Sequence, residues 1–248
     1  MSDSLENKVI VITGAASGIG AALAAGFARD GAHVIGFDPN VEGLTQTANH
    51  CSGQMTVIAG DVTNDADIAS LVTQVLTQHQ RIDVLINNAG IANQGNLIDQ
   101  PFESWQAVID VNLTGLARCI YHILPHMIGQ GYGRIVNVCS REGETGRRTL
   151  SAYSSSKGGV AVLTKSLARE LTKTGHDDVL ISGLIPGGTR TNMNKNESMQ
   201  APEEVYPHTR FIVQQPKGST NGRVFFRSQD YEMFTAFNEE RARIPGGR

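Results

Sequence analysis

The sequence predicts an α/β fold in which one doubly wound parallel sheet carries helices on both faces. Short apolar, β-branched runs alternate with longer Ala- and Leu-rich segments at helical spacing, a pattern typical of β-α-β units. A glycine-rich turn joins the first apolar run to the first helical segment. Parallel strands with right-handed crossovers bind ligands at their carboxyl ends. We therefore expect a single domain over residues 1–248, with a site at that edge of the sheet.

Six apolar runs are predicted to be buried strands, because they are short, rich in β-branched residues and flanked by Gly, Asp or Asn. They lie at 8–13, 33–37, 55–59, 83–87, 133–139 and 179–184. The segments between them carry apolar residues at helical spacing, which predicts helices. These helices lie at 19–29, 65–78, 102–128 and 152–171.

The alternation of predicted strands and helices ends in the last sixty residues. Residues 192–221 are polar and contain three prolines, which predicts a substrate-side loop with a short helix around 203–213. Residues 222–226 could form a last strand, and 222–248 form an atypical C-terminal segment. The final Pro-Gly-Gly-Arg is expected to fray.

Composition excludes several classes of function. A net charge of −3 and a pI near 6.2 provide no basic surface for nucleic acid. Cys51, Cys119 and Cys139 show no CxxC spacing, so neither a metal site nor a disulfide is expected. The N-terminus lacks a signal-peptide pattern and no run of 18 apolar residues occurs, so we expect a soluble cytoplasmic protein without a membrane partner.

Tyr153 and Lys157 lie one helical turn apart, with Ser140 a short loop upstream. Residues i and i+4 share a helix face, so the ammonium group is expected beside the phenol. A phenol with a pKa of about 10 is a poor base at neutral pH, but a neighbouring cation favours the phenolate. The pair therefore predicts a general acid/base that works near pH 7.

The turn at residues 13–20 has the context of a dinucleotide-binding site, since it follows a strand and opens a helix. Gly14 allows the tight turn, while Gly18 and Gly20 let the backbone approach a pyrophosphate. Asp38 follows the second strand, where a carboxylate bonds ribose hydroxyls and repels a 2′-phosphate, so NAD is favoured over NADP. A compact βα turn and an ordinary turn aspartate are the alternatives.

The complete set of motifs resembles the ordered signature of the short-chain dehydrogenase/reductase family over about residues 8–193. That family implies a Rossmann-type sheet of about seven parallel strands and a homodimer or homotetramer. One departure is the end of the chain, where Gly222 to Ser228 replaces the family's usual Val-Asp-Gly-Gly-like segment and puts the tetramer contacts in doubt. The matching residues are Thr13 to Gly20, Asp61-Val62, Asn87-Asn88-Ala89-Gly90, Asn112, Ser140, Tyr153, Lys157 and Pro186-Gly187 with Thr191.

The resemblance implies a role for each matching residue. Asn112, Ser140, Tyr153 and Lys157 would be catalytic, with Asn112 holding a water that links Lys157 to solvent. Asn112 could instead only bond backbone, Ser140 could only end a strand, and Asn87-Asn88 could be a turn. The residues implied in cofactor binding are Gly14, Ser17, Gly18, Ile19, Gly20, Asp38, Asp61, Val62, Asn88, Tyr153, Lys157, Pro186, Gly187, Thr189 and Thr191.

A charged cluster follows Ser140, where many relatives carry small or apolar residues. Arg141, Arg147 and Arg148 could contact an anionic or strongly polar part of the substrate, since a guanidinium matches a carboxylate or phosphate. The alternative is a solvated face. Together these features predict an NAD-dependent oxidoreductase that interconverts a secondary alcohol and a ketone. The other hypotheses are an NADPH-dependent ketoreductase of 3-oxoacyl thioesters, which Asp38 disfavours, and a catalytically silent nucleotide-binding protein.

Overall fold

The computed structural model describes residues 4–234, which form one eight-stranded sheet with helices on both faces. The predicted α/β fold is confirmed. All six predicted strands occur, and the candidate last strand at 222–226 is also present, as β7. The strands are β1 (Val9–Thr13), β2 (His33–Asp38), β3 (Met55–Ala59), β4 (Val84–Asn87), β5 (Gly133–Val138), β6 (Val179–Ile185), β7 (Val224–Phe226) and β8 (Gln229–Asp230).

The four predicted helical segments are all helical, and two helices, at Val41–Asn49 and Glu142–Thr145, were not predicted. The helices are α1 (Gly18–Arg29), α2 (Val41–Asn49), α3 (Asp65–His79), α4 (Phe102–Ile109), α5 (Leu116–Gly129), α6 (Glu142–Thr145), α7 (Ser151–Lys173) and α8 (Tyr206–Val213). Two 3₁₀ turns lie at Leu97–Asp99 and Pro202–Val205, and a π turn at Asp110–Gly115 joins α4 to α5.

The strand order is β3-β2-β1-β4-β5-β6-β7-β8. Strands β1 to β7 run parallel, as expected for seven strands, while the two-residue β8 pairs antiparallel with β7. The order reverses between β1 and β4, where the connections leave the sheet in opposite directions. In such sheets the ligand crevice opens at this switch point, beyond the carboxyl ends of the strands.

Alternate residues of β1 point into two separate cores. Val9 and Val11 pack on the face covered by α3, α5 and α7, whereas Ile10 and Ile12 pack on the face covered by α1, α2 and α8. This alternation follows from the two-residue period of a strand. Both faces are apolar because a parallel sheet is covered on both sides.

The predicted single helix at 102–128 is interrupted. Residues Asp110–Gly115 form a π turn, so α4 and α5 are separate helices in one continuous run. By length and composition the run Phe102–Gly129 could cross a membrane. This is weak evidence for a membrane span, because the core helix of a soluble protein meets the same criteria. Here α5 contributes Cys119, Ile123 and Met127 to the core.

The predicted loop at 192–221 contains the expected short helix, as the 3₁₀ turn Pro202–Val205 followed by α8. Tyr206 at the start of α8 packs edge-on against Phe27 of α1, with ring centroids 5.0 Å apart. Its hydroxyl donates to Asp30 at 2.6 Å. The loop is therefore fixed to α1, the helix that follows the glycine-rich turn. The expected fraying of the last four residues lies outside the described residues.

Candidate active site

The glycine-rich turn packs against two other segments at the carboxyl edge of the sheet. Gly14 has a φ of +68°, and a Cβ there would lie 2.8 Å from the Cα of Ala89. Gly18 has a φ of +55°, and its Cβ would lie 3.1 Å from the Cγ2 of Thr191. Positive φ values and close approaches both favour glycine. The turn, the β4 end and the segment around Thr191 thus border one crevice.

The start of α1 is open to an anion. In the part of the chain that the structure describes, Ser17 makes no capping hydrogen bond through its side chain, and the first turn of α1 holds no acidic residue. By contrast, the side chains of Asn40 and Asn64 cap α2 and α3. Free N–H groups and the helix dipole suit a pyrophosphate, so this turn, with Ile19 and Gly20 behind it, fits a dinucleotide.

Two aspartates sit where the resemblance puts adenosine contacts. Asp38 accepts hydrogen bonds from the backbone N–H groups of Asn40 at 2.8 Å and Ala16 at 3.3 Å, so its carboxylate lies beside the glycine-rich turn. Asp61 accepts from the N–H and the hydroxyl of Thr63 at 2.8 and 2.9 Å. Val62 is buried against the π turn, where a Cβ on Gly115 would lie 2.8 Å from it. The Asp38 carboxylate is thus available at the end of β2.

Asn88 fastens the end of β4 to the glycine-rich turn. Its side-chain amide donates to the carbonyl oxygens of Thr13 and Gly14, both at 3.0 Å. The hydroxyl of Thr13 in turn accepts from the N–H groups of Asn88 and Ala89 at 3.1 Å. The structure therefore gives Asn88 a positioning role for the turn, at the edge where the resemblance puts the ribose.

The segment after β6 is also tied in place. Pro186 is buried, and its carbonyl oxygen accepts from the side-chain amide of Gln200 at 2.6 Å. The same amide donates to the hydroxyl of the buried Thr189 at 3.0 Å. Gly187 has a φ of +87°, which bends the chain back over the crevice toward Thr191. The segment with Pro186, Gly187, Thr189 and Thr191 is therefore held in place, with Thr191 close to Gly18 of the glycine-rich turn.

Asn112 lies fully buried in the π turn, and its side chain is used by the fold. Its oxygen accepts from the N–H of Ile91 at 2.8 Å. Its amide donates to the carbonyl oxygen of Ile91 at 2.9 Å and to the hydroxyl of Ser156 at 3.1 Å. Single π turns inside helices occur frequently at functional sites. Asn112 thus links the backbone of the loop after β4 to the Ser156 side chain of α7.

Lys157 is buried and reaches from α7 to the end of β5. Its Nζ donates to the carbonyl oxygen of Val138 at 2.7 Å and lies 5.8 Å from the centre of the Tyr153 ring. Burial lowers the pKa of Lys157 to about 8, an effect that Cys139 opposes. Lys157 and Tyr153 share a helix face, as expected from their spacing.

The pKa of Tyr153 departs from the sequence expectation. Burial raises it, the hydrogen bond with Ser140 opposes that rise, and the charge of Glu142 adds to it, with a net increase above the ordinary value. The ammonium group of Lys157 donates to the Val138 carbonyl. Tyr153 is therefore a protonated phenol at neutral pH in this state.

Ser140 follows β5 and is bonded to a carboxylate that the sequence prediction did not assign to the site. Its hydroxyl donates to Oε2 of Glu142, the first residue of α6. A Cβ on Gly143 would lie 2.6 Å from the backbone nitrogen of Gly158, so only glycine lets α6 pack this closely on α7. That packing places Tyr153, Ser140 and Glu142 side by side.

The three arginines suggested for substrate lie at the rim of this group. Arg147 approaches Oε1 of Glu142 at 3.6 Å, and its side chain is largely exposed. Arg141 lies over the ring of Phe226 at 5.8 Å and is exposed, as is Arg148. Arg147 is linked to Ser140 through Glu142. The sequence signal that could have indicated Glu142 is an acidic side chain two residues after Ser140.

A second unassigned feature is a polar chain through the core. Asn87 donates to Asn137 at 2.8 Å, and Asn137 donates to Thr164 at 2.9 Å. These three buried side chains connect β4, β5 and α7. Since β5 carries Ser140 and α7 carries Tyr153, the chain fixes the two elements relative to each other.

Comparison with known proteins agrees with this geometry. A family model described as short chain dehydrogenase matches residues 8–202. A 3-oxoacyl-[acyl-carrier-protein] reductase of Thermotoga maritima is 39% identical over 202 residues, covering 80% of this chain and 81% of that protein. A 5-keto-D-gluconate 5-reductase of Escherichia coli is 35% identical over 195 residues, covering 77% and 76%. The structure of a short chain dehydrogenase from Bacillus anthracis matches with a TM-score of 0.84 at 26% identity, covering 90% and 95%.

The match spans the glycine-rich turn, the Tyr153–Lys157 pair and the segment after β6, in the order that the sequence predicts. It makes this protein an oxidoreductase that uses a nicotinamide cofactor on a small alcohol or ketone. The chain belongs to the short-chain dehydrogenase family.

Proposed function

We propose that this enzyme interconverts a secondary alcohol and a ketone with NAD(H), using Tyr153 as the general acid/base. The observation that carries the proposal is that the side chains of Ser140 and Tyr153 lie together, while Lys157 is buried nearby at the carboxyl end of β5. A phenol and a hydroxyl that share a hydrogen bond offer two groups to one substrate oxygen. This is the arrangement that carbonyl reduction and alcohol oxidation both require.

The crevice between the glycine-rich turn and Thr191 would hold the cofactor. Gly14, Gly18 and the α1 amides would receive the pyrophosphate, and the Asp38 carboxylate would accept from ribose hydroxyls. When bound, a nicotinamide supplies the hydride acceptor or donor. Preference for NAD over NADP rests on Asp38, because a carboxylate at that place repels a 2′-phosphate.

The protonation state of Tyr153 favours the direction of ketone reduction. Tyr153 is protonated at neutral pH because burial raises its pKa, so its hydroxyl suits proton donation to a ketone oxygen. In the reverse direction Tyr153 must take the alcohol proton, and Ser140 stabilises the phenolate that precedes this step by donating to it. Lys157, held at Val138, supplies positive charge below the active-site surface while it remains protonated.

A panel of ketones and secondary alcohols with NAD(H) and NADP(H), followed by the absorbance of the reduced cofactor, tests the proposal. Turnover with NAD(H) at a kcat/KM at least tenfold above that with NADP(H) is expected. Turnover with neither cofactor across the panel would contradict it.

A second candidate function is the NADPH-dependent reduction of a 3-oxoacyl thioester. The observation in its favour is the 39% identity with the Thermotoga maritima 3-oxoacyl-[acyl-carrier-protein] reductase. Asp38 and the charged residues after Ser140 argue against it. An acetoacetyl thioester in the same assay distinguishes the two functions, since the main proposal expects it to be a poor substrate.

We also propose that the enzyme is a cytoplasmic homodimer or homotetramer. Phe102 of α4, Tyr121 of α5 and Val162 of α7 are exposed apolar side chains on neighbouring helices. Covering such side chains with a second copy removes apolar surface from water. Light scattering coupled to size-exclusion chromatography would report a mass of at least twice the 26.6 kDa of the chain.

A further inference from the structure

We infer that Glu142 is a specificity-determining residue, which selects substrates that carry a hydrogen-bond donor, a hydroxyl or an ammonium group, on the carbon next to the reacting one. The inference rests on the proposed function, because it names the substrate class of the same site. Its basis is the contact between the Glu142 carboxylate and the hydroxyl of Ser140.

Ser140 has one proton to donate, and Glu142 and the substrate oxygen compete for it. A serine hydroxyl provides a single O–H donor. In the structure that donor is given to Glu142, while Tyr153 is a second partner of the same hydroxyl. A substrate oxygen that binds at Ser140 as an acceptor must therefore take the proton away from Glu142. The Glu142 oxygen then loses the donor that satisfies it.

The loss is unfavourable because Glu142 stays charged and is partly shielded from water. Burial raises the pKa of Glu142, but the hydrogen bond from Ser140 and the nearby Arg147 and Arg141 lower it below its ordinary value. Its side chain is 32% exposed, and Oε1, the other oxygen, is the one that faces Arg147 at 3.6 Å. An ion pair with so exposed a partner adds little. The backbone N–H of Glu142 also lowers this pKa, so the carboxylate keeps that donor when Ser140 turns away. Oε2 then lacks only the donor that Ser140 gave it.

A substrate with a second donor replaces the one that Ser140 withdraws. Oxygens on adjacent carbons lie about one hydrogen-bond length apart. When the reacting oxygen takes the place of Glu142 as the acceptor of Ser140, a hydroxyl on the next carbon is therefore within reach of Oε2. A simple alcohol or an ether lacks this donor and does not replace the hydrogen bond that Oε2 loses. A hydrogen bond to a charged group corresponds to about a ten- to hundredfold difference in binding.

The test compares cyclohexanol, 1,2-cyclohexanediol in both isomers, and 2-methoxycyclohexanol, which keeps the second oxygen but not its proton. Dissociation constants are measured by calorimetry on the wild-type protein loaded with reduced cofactor, a combination that cannot react with an alcohol. We expect one diol isomer to bind about ten- to hundredfold more tightly than either other compound. Equal binding of the diol and the methyl ether would overturn the inference.

Two substitutions at Glu142 assign the preference to this side chain. Glu142→Val should abolish it and bring the dissociation constants within about threefold of each other. Glu142→Gln, which keeps the size and offers a neutral acceptor, should reduce it to less than tenfold. Glu144→Gln removes the same charge from the same short helix, but Glu144 accepts from Tyr231 at 2.7 Å and not from Ser140. This control should keep the wild-type preference, and a preference retained in both Glu142 variants would contradict the inference.

Turnover separates this inference from the proposed function. With oxidised cofactor, kcat/KM should follow the order of the dissociation constants. A diol preference in binding without oxidation of any compound would leave the inference standing and refute the proposed function. Oxidation of the diol and the methyl ether with equal kcat/KM would support the proposed function and refute the inference.

Discussion

The ammonium group of Lys157 and the carbonyl oxygen of Val138 are joined by a 2.7 Å hydrogen bond between α7 and the end of β5. The bond holds the buried ammonium group of Lys157 at the end of β5 and gives the Val138 carbonyl a donor. Its consequence is that the charge on Lys157 is costly, since burial lowers the pKa of Lys157 to about 8.

This cost predicts a pH dependence of stability in the protein without cofactor. Below pH 8 Lys157 is protonated in both states, so the full penalty of burying its charge is present. Between pH 8 and about 10.4 the folded lysine loses its proton while the unfolded one keeps it, so the contribution of this residue to stability rises with pH. The buried thiols of Cys119 and Cys139 act in the opposite direction, because burial raises their pKa values to about 12. The gain from this residue is on the order of 3 kcal/mol.

Urea denaturation of the wild type and of Lys157→Met across this pH range measures the effect. The methionine variant removes this titrating group and keeps the cysteines, so the free energy of unfolding of the wild type minus that of the variant should increase with pH. Parallel pH profiles for the two proteins would contradict the assignment.

Tyr153→Phe should abolish turnover and leave cofactor binding intact. The ring remains in place, while the oxygen that transfers the proton is lost, and general acid/base catalysis contributes about 10²–10⁴-fold. Initial rates on the best substrate, with fluorescence titration of the cofactor, provide the measurement. A variant that retains more than a tenth of the wild-type kcat would exclude Tyr153 from this role.

Asp38→Asn should weaken NAD(H) binding about tenfold and strengthen NADP(H) binding. The amide keeps an acceptor for the N–H of Asn40 but loses the charge that bonds the ribose hydroxyls. Glu42→Gln removes an equal charge from the exposed first turn of α2 and should change neither constant. Unchanged cofactor affinities in the Asp38 variant would show that Asp38 does not contact the ribose.

Gly20→Ala should destabilise the protein and impair cofactor binding. A Cβ at Gly20 would lie 2.0 Å from the carbonyl oxygen of Gly14, so the glycine-rich turn must move. Such overpacking costs about 1–3 kcal/mol. Gly129→Ala is the matched control, since no atom lies within 4 Å of a Cβ placed there. Chemical denaturation and cofactor titration of both variants should show losses only for the first.

Arg141, Arg147 and Arg148 stay predicted contacts for an anionic group of the substrate, and Arg147 is the best placed. It lies beside Oε1 of Glu142, opposite the oxygen that faces Ser140, so a carboxylate would have to be distant from the reacting carbon. Each Arg→Ala variant is assayed on matched neutral and carboxylate-bearing alcohols. We expect Arg147→Ala to reduce kcat/KM for the charged member about ten- to hundredfold. If none of the three selectively weakens the charged member, the cluster is a solvated face.

The strands could be predicted closely because buried parallel strands form continuous apolar runs, as at residues 9–13 and 179–185. Helix α2 was missed since its sequence, with Gly43, Thr45 and Thr47 in nine residues, has low helix propensity. Its stability comes from contacts far along the chain: Thr47 donates to the carbonyl oxygen of Ala15 at 3.0 Å. Propensity alone does not contain that information.

In the candidate site, too, local sequence predicted some features, while others depend on contacts between elements. Spacing on one helix predicted that Tyr153 and Lys157 share a face, which the structure places as expected. The pKa of Tyr153 could not be predicted from spacing, because it depends on burial and on Glu142. The contact between Glu142 and Ser140 is local, since the two residues are two positions apart. Their place beside Tyr153 depends on the packing of α6 on α7 at Gly143, and a contact between two elements is invisible in a local pattern.

The π turn at Asp110–Gly115 sets the phase between α4 and α5. An α-helix advances about 100° per residue, so the extra residue of a π turn rotates everything after it by about that angle. The rotation lets α4 face α7 while α5 turns Cys119 and Ile123 toward the sheet. One continuous run of helix thereby serves two surfaces that a regular helix could not serve together. Loss of a single residue here would leave each helix intact and turn α5 away from the core, so the length of this segment is as constrained as the identity of Asn112.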